Sequence, residues 1–235
     1  MLDYCCFHKN TYKMLNQNKS LSNSIVMSYF NILNYNENNT PGHHNDVGFK
    51  DEGQKEVYLF CRDFMKKNNL NFVIDVGCGS AYKLTTFLSD FNTLGIETEP
   101  CYTYLQQTYP TFKWLLSGKP EESFKLYDEI NNSDVVICSD VIEHIVNPDI
   151  LVDYLLSLKS KYYIISTPCR DILCHHPKFS NTYKKSWSGP PMNVCHVREW
   201  TMKEFKQYIS RKFNIISSHY CENQIECQYH LLTIK

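Results

Sequence analysis

The sequence predicts an α/β fold, a mainly parallel sheet covered by helices on both faces. Three observations carry the prediction. From about residue 51 onward, apolar runs of strand length alternate with helical stretches. The first run ends in a glycine-rich turn, Gly77-Cys78-Gly79, and the second ends in an acid, Glu97, roughly twenty residues later.

Residues 1–45 are rich in Asn, Ser, Tyr and Lys with only short apolar pieces such as SIVMSYFNIL. They read as an N-terminal extension, either poorly ordered or a small helical cap, ahead of a domain over 46–235. In DEGQKEVYLFCRDFMKKNN, Val57, Phe60, Cys61, Phe64 and Met65 share one helical face, so a first helix is expected there. The strand-like runs NFVIDV, NTLGIE, FKWLLS, DVVIC and YYIIST then alternate with helical AYKLTTFLSDF, PCYTYLQQTY and PDILVDYLLSLKS. After Pro168 comes a loop of roughly thirty residues with two knots, CHHP and SGPPMN; a loop that long inside a compact domain points to function. TMKEFKQYISRKF follows as a helix, with Thr201 as its cap and Glu204 three residues on. NIISSHYC and IECQYHLLTIK then form a final hairpin.

Composition narrows the function class. A 43% hydrophobic and 14% aromatic content argues for a folded globule, and no apolar run approaches the roughly 18 residues of a membrane span. The opening MLDYCCFHKNTYK has no apolar core of a signal peptide, so the expected location is cytoplasmic. The eleven cysteines are odd in number and irregularly spaced, without a C-x-x-C pair, and read as free thiols rather than disulfides or zinc ligands. A net charge of -1 without a long Lys/Arg run weighs against duplex nucleic acid, leaving a short single-stranded end open.

The turn Asp75-Val76-Gly77-Cys78-Gly79-Ser80-Ala81 lets backbone approach a ligand closely, although Tyr82 stands where a dinucleotide fingerprint has its third glycine. An acid at the first strand tip, G-x-G, then Glu97 at the second strand tip resembles the class I S-adenosylmethionine-dependent methyltransferases over residues 51–235. That resemblance implies a Rossmann-like, mainly parallel seven-stranded sheet with an antiparallel last strand. It also implies S-adenosylmethionine as cofactor. Gly77 and Gly79 would border its methionine part, Asp75 would hold the loop or the amino group, and Glu97 would bind ribose. Cys78, Ser139 and Asp140 complete the implied cofactor-contacting set. Ser117 stands where many members of the family place an acid for the adenine amino group.

The loop after DVVIC reads Ser139-Asp140-Val141-Ile142-Glu143-His144. If a helix starts near Asp140, then Asp140, Glu143 and His144 fall at i, i+3 and i+4 and share one face, a ligand set for a divalent ion. His196, in HVREWT at the end of the long loop, is the candidate fourth ligand. Each residue also has an ordinary role available: Asp140 as helix cap, His144 packed on the sheet, His196 as loop anchor, Trp200 as core, and His43-His44 and His175-His176 as solvated loop. Arg170 and Arg198 either pair with loop acids or touch substrate. The segment just before the first helix could close over the cofactor, with Gln54 or Tyr58 toward the pocket.

The order D-x-x-E-H, STP, H-x-x-E-W-T resembles the small-RNA 3′-end 2′-O-methyltransferases, whose two acids and two histidines hold one Mg²⁺ or Mn²⁺. The matching positions are Asp140, Glu143, His144 and His196, with Asp140 replacing the more usual Glu. The longer string STPCRDIL, GPPMN, HVREWTMKEF more closely resembles glycan O-methyltransferases of bacteria and large DNA viruses, often fused to or encoded beside glycosyltransferases. The expectation is a metal-assisted O-methyltransferase acting on a sugar hydroxyl of a glycan or glycan precursor. A glycosyltransferase partner is part of that expectation, and so is host cytoplasm if the source is viral. One histidine could serve as general base instead of ligand. The alternatives are an RNA-end ribose 2′-O-methyltransferase, a metal-free small-molecule methyltransferase, and a cofactor-binding partner of a glycosyltransferase without catalysis.

Overall fold

Short β-rich runs whose side chains are buried at nearly every position organise the chain into one sheet. A computed structural model describes residues 29–42, 46–50, 52–118, 130, 132–173, 187–221 and 227–235. The His43-His44 and His175-His176 pairs, residues 1–28 and most of the insertion after Leu173 lie outside the described residues. The strands are β1 (Phe72–Val76), β2 (Asn92–Glu97), β3 (Lys113–Leu116), β4 (Val135–Ser139), β5 (Tyr162–Pro168), β6 (Phe213–Tyr220) and β7 (Cys227–Ile234). Their order is β3-β2-β1-β4-β5-β7-β6. The pairs β1–β2, β1–β4, β2–β3 and β4–β5 are parallel, while β7 runs antiparallel to both β5 and β6. The expected seven-stranded sheet with an antiparallel last strand is therefore present. Strand order reverses between β1 and β4, and in open α/β sheets ligands bind at the strand ends beside such a switch point.

The helices are α1 (Lys55–Lys67), α2 (Tyr82–Phe87), α3 (Cys101–Thr108), α4 (Pro148–Ser157), α5 (Arg170–Leu173) and α6 (Met202–Ile209). On one face of the sheet Val57, Cys61 and Met65 of α1, Leu84 of α2 and Leu105 of α3 cover Val73, Val135, Ile137 and Ile164. On the other, Leu151 and Leu155 of α4 and Phe205 and Tyr208 of α6 cover Ile74, Val76, Val136 and Ile165. The 3.6-residue apolar stripe of α1 thus meets the period-2 stripe of the sheet. Thr201 and Glu204 cap α6 reciprocally, as the sequence predicts. Asn147 caps α4, with Pro148 opening the helix. No helix among the described residues is long and apolar enough to cross a membrane.

Two features depart from the sequence reading. Residues 170–173, read as the start of a loop, form the short helix α5. Residues 29–42, assigned from sequence to an N-terminal extension, lie along the 187–200 loop: Asn36, Asn38 and Gly42 donate backbone hydrogen bonds to Ser188, Val197 and Val194 at 2.6, 2.9 and 2.9 Å. The Trp200 indole is fully buried and donates to the Tyr29 carbonyl at 2.8 Å, so it belongs to the core.

Candidate active site

The C-terminal ends of β1, β2, β4 and β5 converge on two adjoining groups of polar side chains. The first surrounds the glycine turn. Gly77 and Gly79 take left-handed φ values of 74° and 56°, which β-branched or bulky residues adopt only under strain. A Cβ at Gly77 would collide with Val141, so the turn lies directly against the segment that follows β4. Gly79 donates its N–H to Glu97 Oε2 at 2.6 Å, while Thr98 donates its N–H and hydroxyl to Glu97 Oε1 at 2.7 and 3.2 Å. A carboxylate has about four lone-pair positions, so Glu97 retains capacity for one further donor such as a hydroxyl. Burial raises its pKa, and those hydrogen bonds oppose the rise.

Asp75 is fully buried, with Oδ2 accepting from the Tyr58 hydroxyl at 2.9 Å and Oδ1 without a partner. Its pKa is raised to about 7, chiefly by burial. An orphaned, buried carboxylate oxygen beside a glycine turn fits the ammonium group of an amino-acid moiety. Ahead of α1, the Ser80 hydroxyl donates to the Phe49 carbonyl, and Asp46 lies against Gly79, so residues 46–50 line the turn. Ser117 anchors its N–H on the Glu97 carbonyl at 2.8 Å, and its hydroxyl turns to the neighbouring Gly118 carbonyl at 3.1 Å.

The second group is built on the segment after β4. The expected α-helical spacing of Asp140, Glu143 and His144 does not hold. Asp140 is left-handed at φ 53°, and Ile142–His144 form a single 3₁₀ turn. With three residues per turn and a left-handed first residue, the shared-face argument fails. Asp140 instead looks toward α1 and β5. Its carboxylate accepts from Gln54 Nε2 at 2.8 Å, from the Ser166 hydroxyl at 2.6 Å and from Cys227 Sγ at 3.3 Å. Ser166 Oγ also lies 2.7 Å from Ser139 Oγ, which makes Ser139 part of the same network.

Glu143, His144 and His196 do come together. Their candidate ligand atoms all lie within 4.8 Å of one another, and Asp140 is not among them. Glu143 is fully buried; Oε2 accepts from the Thr167 hydroxyl at 3.1 Å, and Oε1 has no hydrogen-bond partner. Burial first, and the nearby Asp140 charge second, push its pKa well above the carboxylate range. His144 Nδ1 donates to the Cys195 carbonyl at 2.8 Å, which leaves the lone pair of the neutral ring on Nε2. His196 Nδ1 donates to Glu199 Oε1 at 2.8 Å, and its Nε2 accepts from Asn193 Nδ2 at 2.9 Å.

Two imidazole nitrogens and an orphaned carboxylate oxygen fit a divalent cation, with the Asn193 amide as the group such an ion would displace. The nitrogen-rich set suits Mn²⁺ better than Mg²⁺, which prefers oxygen ligands. A carboxylate on the far nitrogen of a ligating histidine is the usual way its tautomer and orientation are fixed.

Glu199, Thr167 and Asn193 lie within the strings HVREW, STP and GPPMN, yet their supporting roles are not legible there because each depends on a partner's side-chain direction. Arg170 and Arg198 are both buried and paired internally, the first with Glu204 and the second with Glu37 at 2.7 Å.

No protein-family model and no curated protein matches the chain. Solved structures do. A crystal structure of the small RNA methyltransferase HEN1 is similar at 19% identity with a TM-score of 0.57 over 83% of this chain. This chain spans only 27% of that one. The methyltransferase domain of bacterial CtHen1 is similar at 18% identity with a TM-score of 0.53, over 78% of this chain and 99% of that chain. Magnesium protoporphyrin IX methyltransferase (ChlM) from Synechocystis PCC 6803, with bound SAH, is similar at 15% identity with a TM-score of 0.57, over 83% and 90% of the two chains. The fold is that of the Rossmann-like class I methyltransferases.

Proposed function

We propose that this chain is an S-adenosylmethionine-dependent, divalent-metal-assisted O-methyltransferase whose acceptor is a sugar hydroxyl with a second hydroxyl beside it, in a glycan or glycan precursor. The observation that carries the reading is the buried Glu143 Oε1, without a hydrogen-bond partner, beside His144 and His196. Support for the cofactor comes from the glycine turn, the orphaned Asp75 oxygen and the fold shared with ChlM, whose structure holds SAH.

In this reading Asp75 faces the ammonium group of the donor, Glu97 accepts from a ribose hydroxyl, and Gly77 and Gly79 allow close approach of the methionine part. Donor and acceptor sites are neighbours in this reading, which is supported by Val141 lying where a Cβ on Gly77 would collide with it. A sulfonium methyl is already activated, so the remaining task is to loosen the acceptor proton. Glu143, His144 and His196 would hold Mn²⁺ or Mg²⁺. Such an ion would supply Lewis acidity, which lowers the pKa of a coordinated hydroxyl, by less on Mn²⁺ or Mg²⁺ than the fall from about 15.7 to about 7 that water undergoes on protein-bound zinc. Holding two vicinal hydroxyls at one cluster also orients the attacking oxygen. Asp140, tied to Gln54, Ser166 and Cys227, shapes the donor side rather than the ligand set.

A second reading, methylation of the terminal ribose of an RNA, draws on the likeness to HEN1 and bacterial CtHen1. The net charge of -1 favours the sugar reading, because binding a polyanion rests on a basic surface. The test is incubation of the purified chain and Mn²⁺ with methyl-labelled S-adenosylmethionine and, separately, nucleotide sugars, free glycans and short RNAs with 3′ vicinal hydroxyls. Label in sugars that disappears with a chelator is the expected result. Transfer to RNA alone establishes the second reading, and chelator-resistant transfer removes the metal.

A further inference from the structure

We propose that Arg198 is the positioning residue that sets the two halves of the Glu143–His144–His196 cluster against each other. This inference rests on reading the cluster as a divalent-metal site. Glu143 and His144 come from the turn after β4, and His196 from a loop more than fifty residues later. Something other than local geometry has to fix their separation.

Arg198 is fully buried and reaches three pieces of chain at once. Nη1 donates to the Ile145 carbonyl at 2.8 Å and Nη2 to the Val146 carbonyl at 2.7 Å, the two carbonyls that directly follow His144. Nε donates to Glu37 Oε1 at 2.7 Å, in the segment laid along the His196 loop. The guanidinium plane lies over the Tyr29 ring, 4.5 Å from its centroid, and 5.7 Å from that of Trp200. Two positions before Arg198, His196 enters the cluster, and between them Val197 donates its N–H to the Glu143 carbonyl at 2.7 Å.

The planar fork therefore ties the end of the 3₁₀ turn to the His196 loop from one side while the Val197 hydrogen bond ties them from the other. A lysine cannot reproduce this, because its ammonium is a single point charge without a fork. A buried guanidinium is tolerated only when its donors are met, so the arrangement is costly to build and specific once built. Partners that orient metal ligands from outside the ligand set commonly change metal affinity about 10–100-fold when altered.

The test uses the full chain, titrated with Mn²⁺ and followed by the paramagnetic resonance signal of the free ion, in wild type, Arg198→Lys and Glu37→Gln. S-adenosylhomocysteine affinity and thermal melting are measured alongside. Arg198→Lys is expected to weaken Mn²⁺ binding about 10–100-fold while S-adenosylhomocysteine binding is retained. A purely structural role lowers the melting temperature and leaves Mn²⁺ affinity of the folded protein at the wild-type value; that result overturns the proposal. Should Arg198→Lys fail to fold, Glu37→Gln decides, since the Glu37 side chain is 30% exposed and leaves Arg198 in place. A loss of roughly tenfold in Mn²⁺ affinity supports the proposal, and an unchanged affinity overturns it. A wild-type protein that takes up no Mn²⁺ brings down the metal reading and this proposal together. Variants that match a binding wild type bring down this proposal alone.

Discussion

Glu199 accepts a hydrogen bond from His196 Nδ1 at 2.8 Å, inside a loop where both residues are buried. The pair fixes the imidazole so that its lone pair sits on Nε2, in a ring that belongs to the group formed with Glu143 and His144. Replacing Glu199 by Gln keeps an acceptor of the same shape and removes the charge that makes the ring a stronger donor of electron density. Glu199→Gln is therefore expected to lower Mn²⁺ affinity by about tenfold, with little change in melting temperature. Isothermal titration with Mn²⁺ checks this. An unchanged affinity would assign Glu199 to loop anchoring alone.

Glu143 makes an opposite trade between stability and function. Thr167 satisfies one carboxylate oxygen and the other is buried without a hydrogen-bond partner, so the folded protein carries an unmet acceptor. Its folded pKa lies well above the usual carboxylate value of about 4.3. The folded state thus binds the proton more tightly than the unfolded chain, and stability falls as pH rises from the ordinary carboxylate range through the raised value. A glutamine side chain does not titrate, so the stability of the Glu143→Gln variant relative to wild type should be lowest below the ordinary carboxylate range and increase steadily as pH rises above it. Adding Mn²⁺ should raise the wild-type melting temperature and leave the variant's unmoved, because only a ligand that binds the folded state stabilises it. Calorimetric scans at several pH values, with and without Mn²⁺, decide both points.

Under the proposed function, Asp140 lies on the donor side and outside the Glu143–His144–His196 group. Its carboxylate is shared among Gln54, Ser166 and Cys227, and its backbone sits at φ 53°. Asp140→Asn should leave Mn²⁺ affinity at its wild-type value and weaken S-adenosylhomocysteine binding by about tenfold, because one charged partner of a donor-side hydrogen-bond network is lost. If Mn²⁺ affinity falls instead, Asp140 belongs to the ligand set after all. Competitive binding of the two ligands to the same preparation reads both quantities.

Much of this architecture is legible from residue order, and the reason is periodicity. Strand runs such as DVVIC coincide with β4 because a strand buried on both faces is nearly all apolar and bounded by polar turns. Thr201 and Glu204 announce α6 because a capping box is local chemistry. His196 is legible as a partner of the Glu143-His144 pair only through motif order, since nothing in spacing relates residues so far apart. The expected common face of Asp140, Glu143 and His144 does not form because the i, i+3, i+4 rule presumes an α-helix. Here Val141 rests on Gly77, and the backbone turns left-handed at Asp140 before a 3₁₀ turn begins. Residues 29–42 are equally opaque: their Asn- and Tyr-rich composition resembles a loose tail, and their order comes from long-range partners such as Arg198 and Glu199.

Asp75 supplies a pH test of the donor site. Its folded pKa of about 7, against about 3.9 unperturbed, has burial as the main cause, with the Tyr58 hydroxyl opposing the rise and the Glu97 charge adding to it. In the ligand-free protein stability therefore declines as pH climbs from about 4 to about 7 and is flat above, because the folded state holds the proton longer than the unfolded chain. A cationic amino group placed at the orphaned Oδ1 favours the ionised form and lowers that pKa. Binding of S-adenosylhomocysteine near pH 6.5 should then expel part of a proton, and affinity should rise between about pH 5.5 and 7.5 before levelling. Calorimetry in buffers of different ionisation enthalpy counts the proton directly. Asp75→Asn should bind more weakly with no proton released from this position and a flat profile over that window. A wild-type titration that releases no proton would move the amino group of the cofactor away from Asp75.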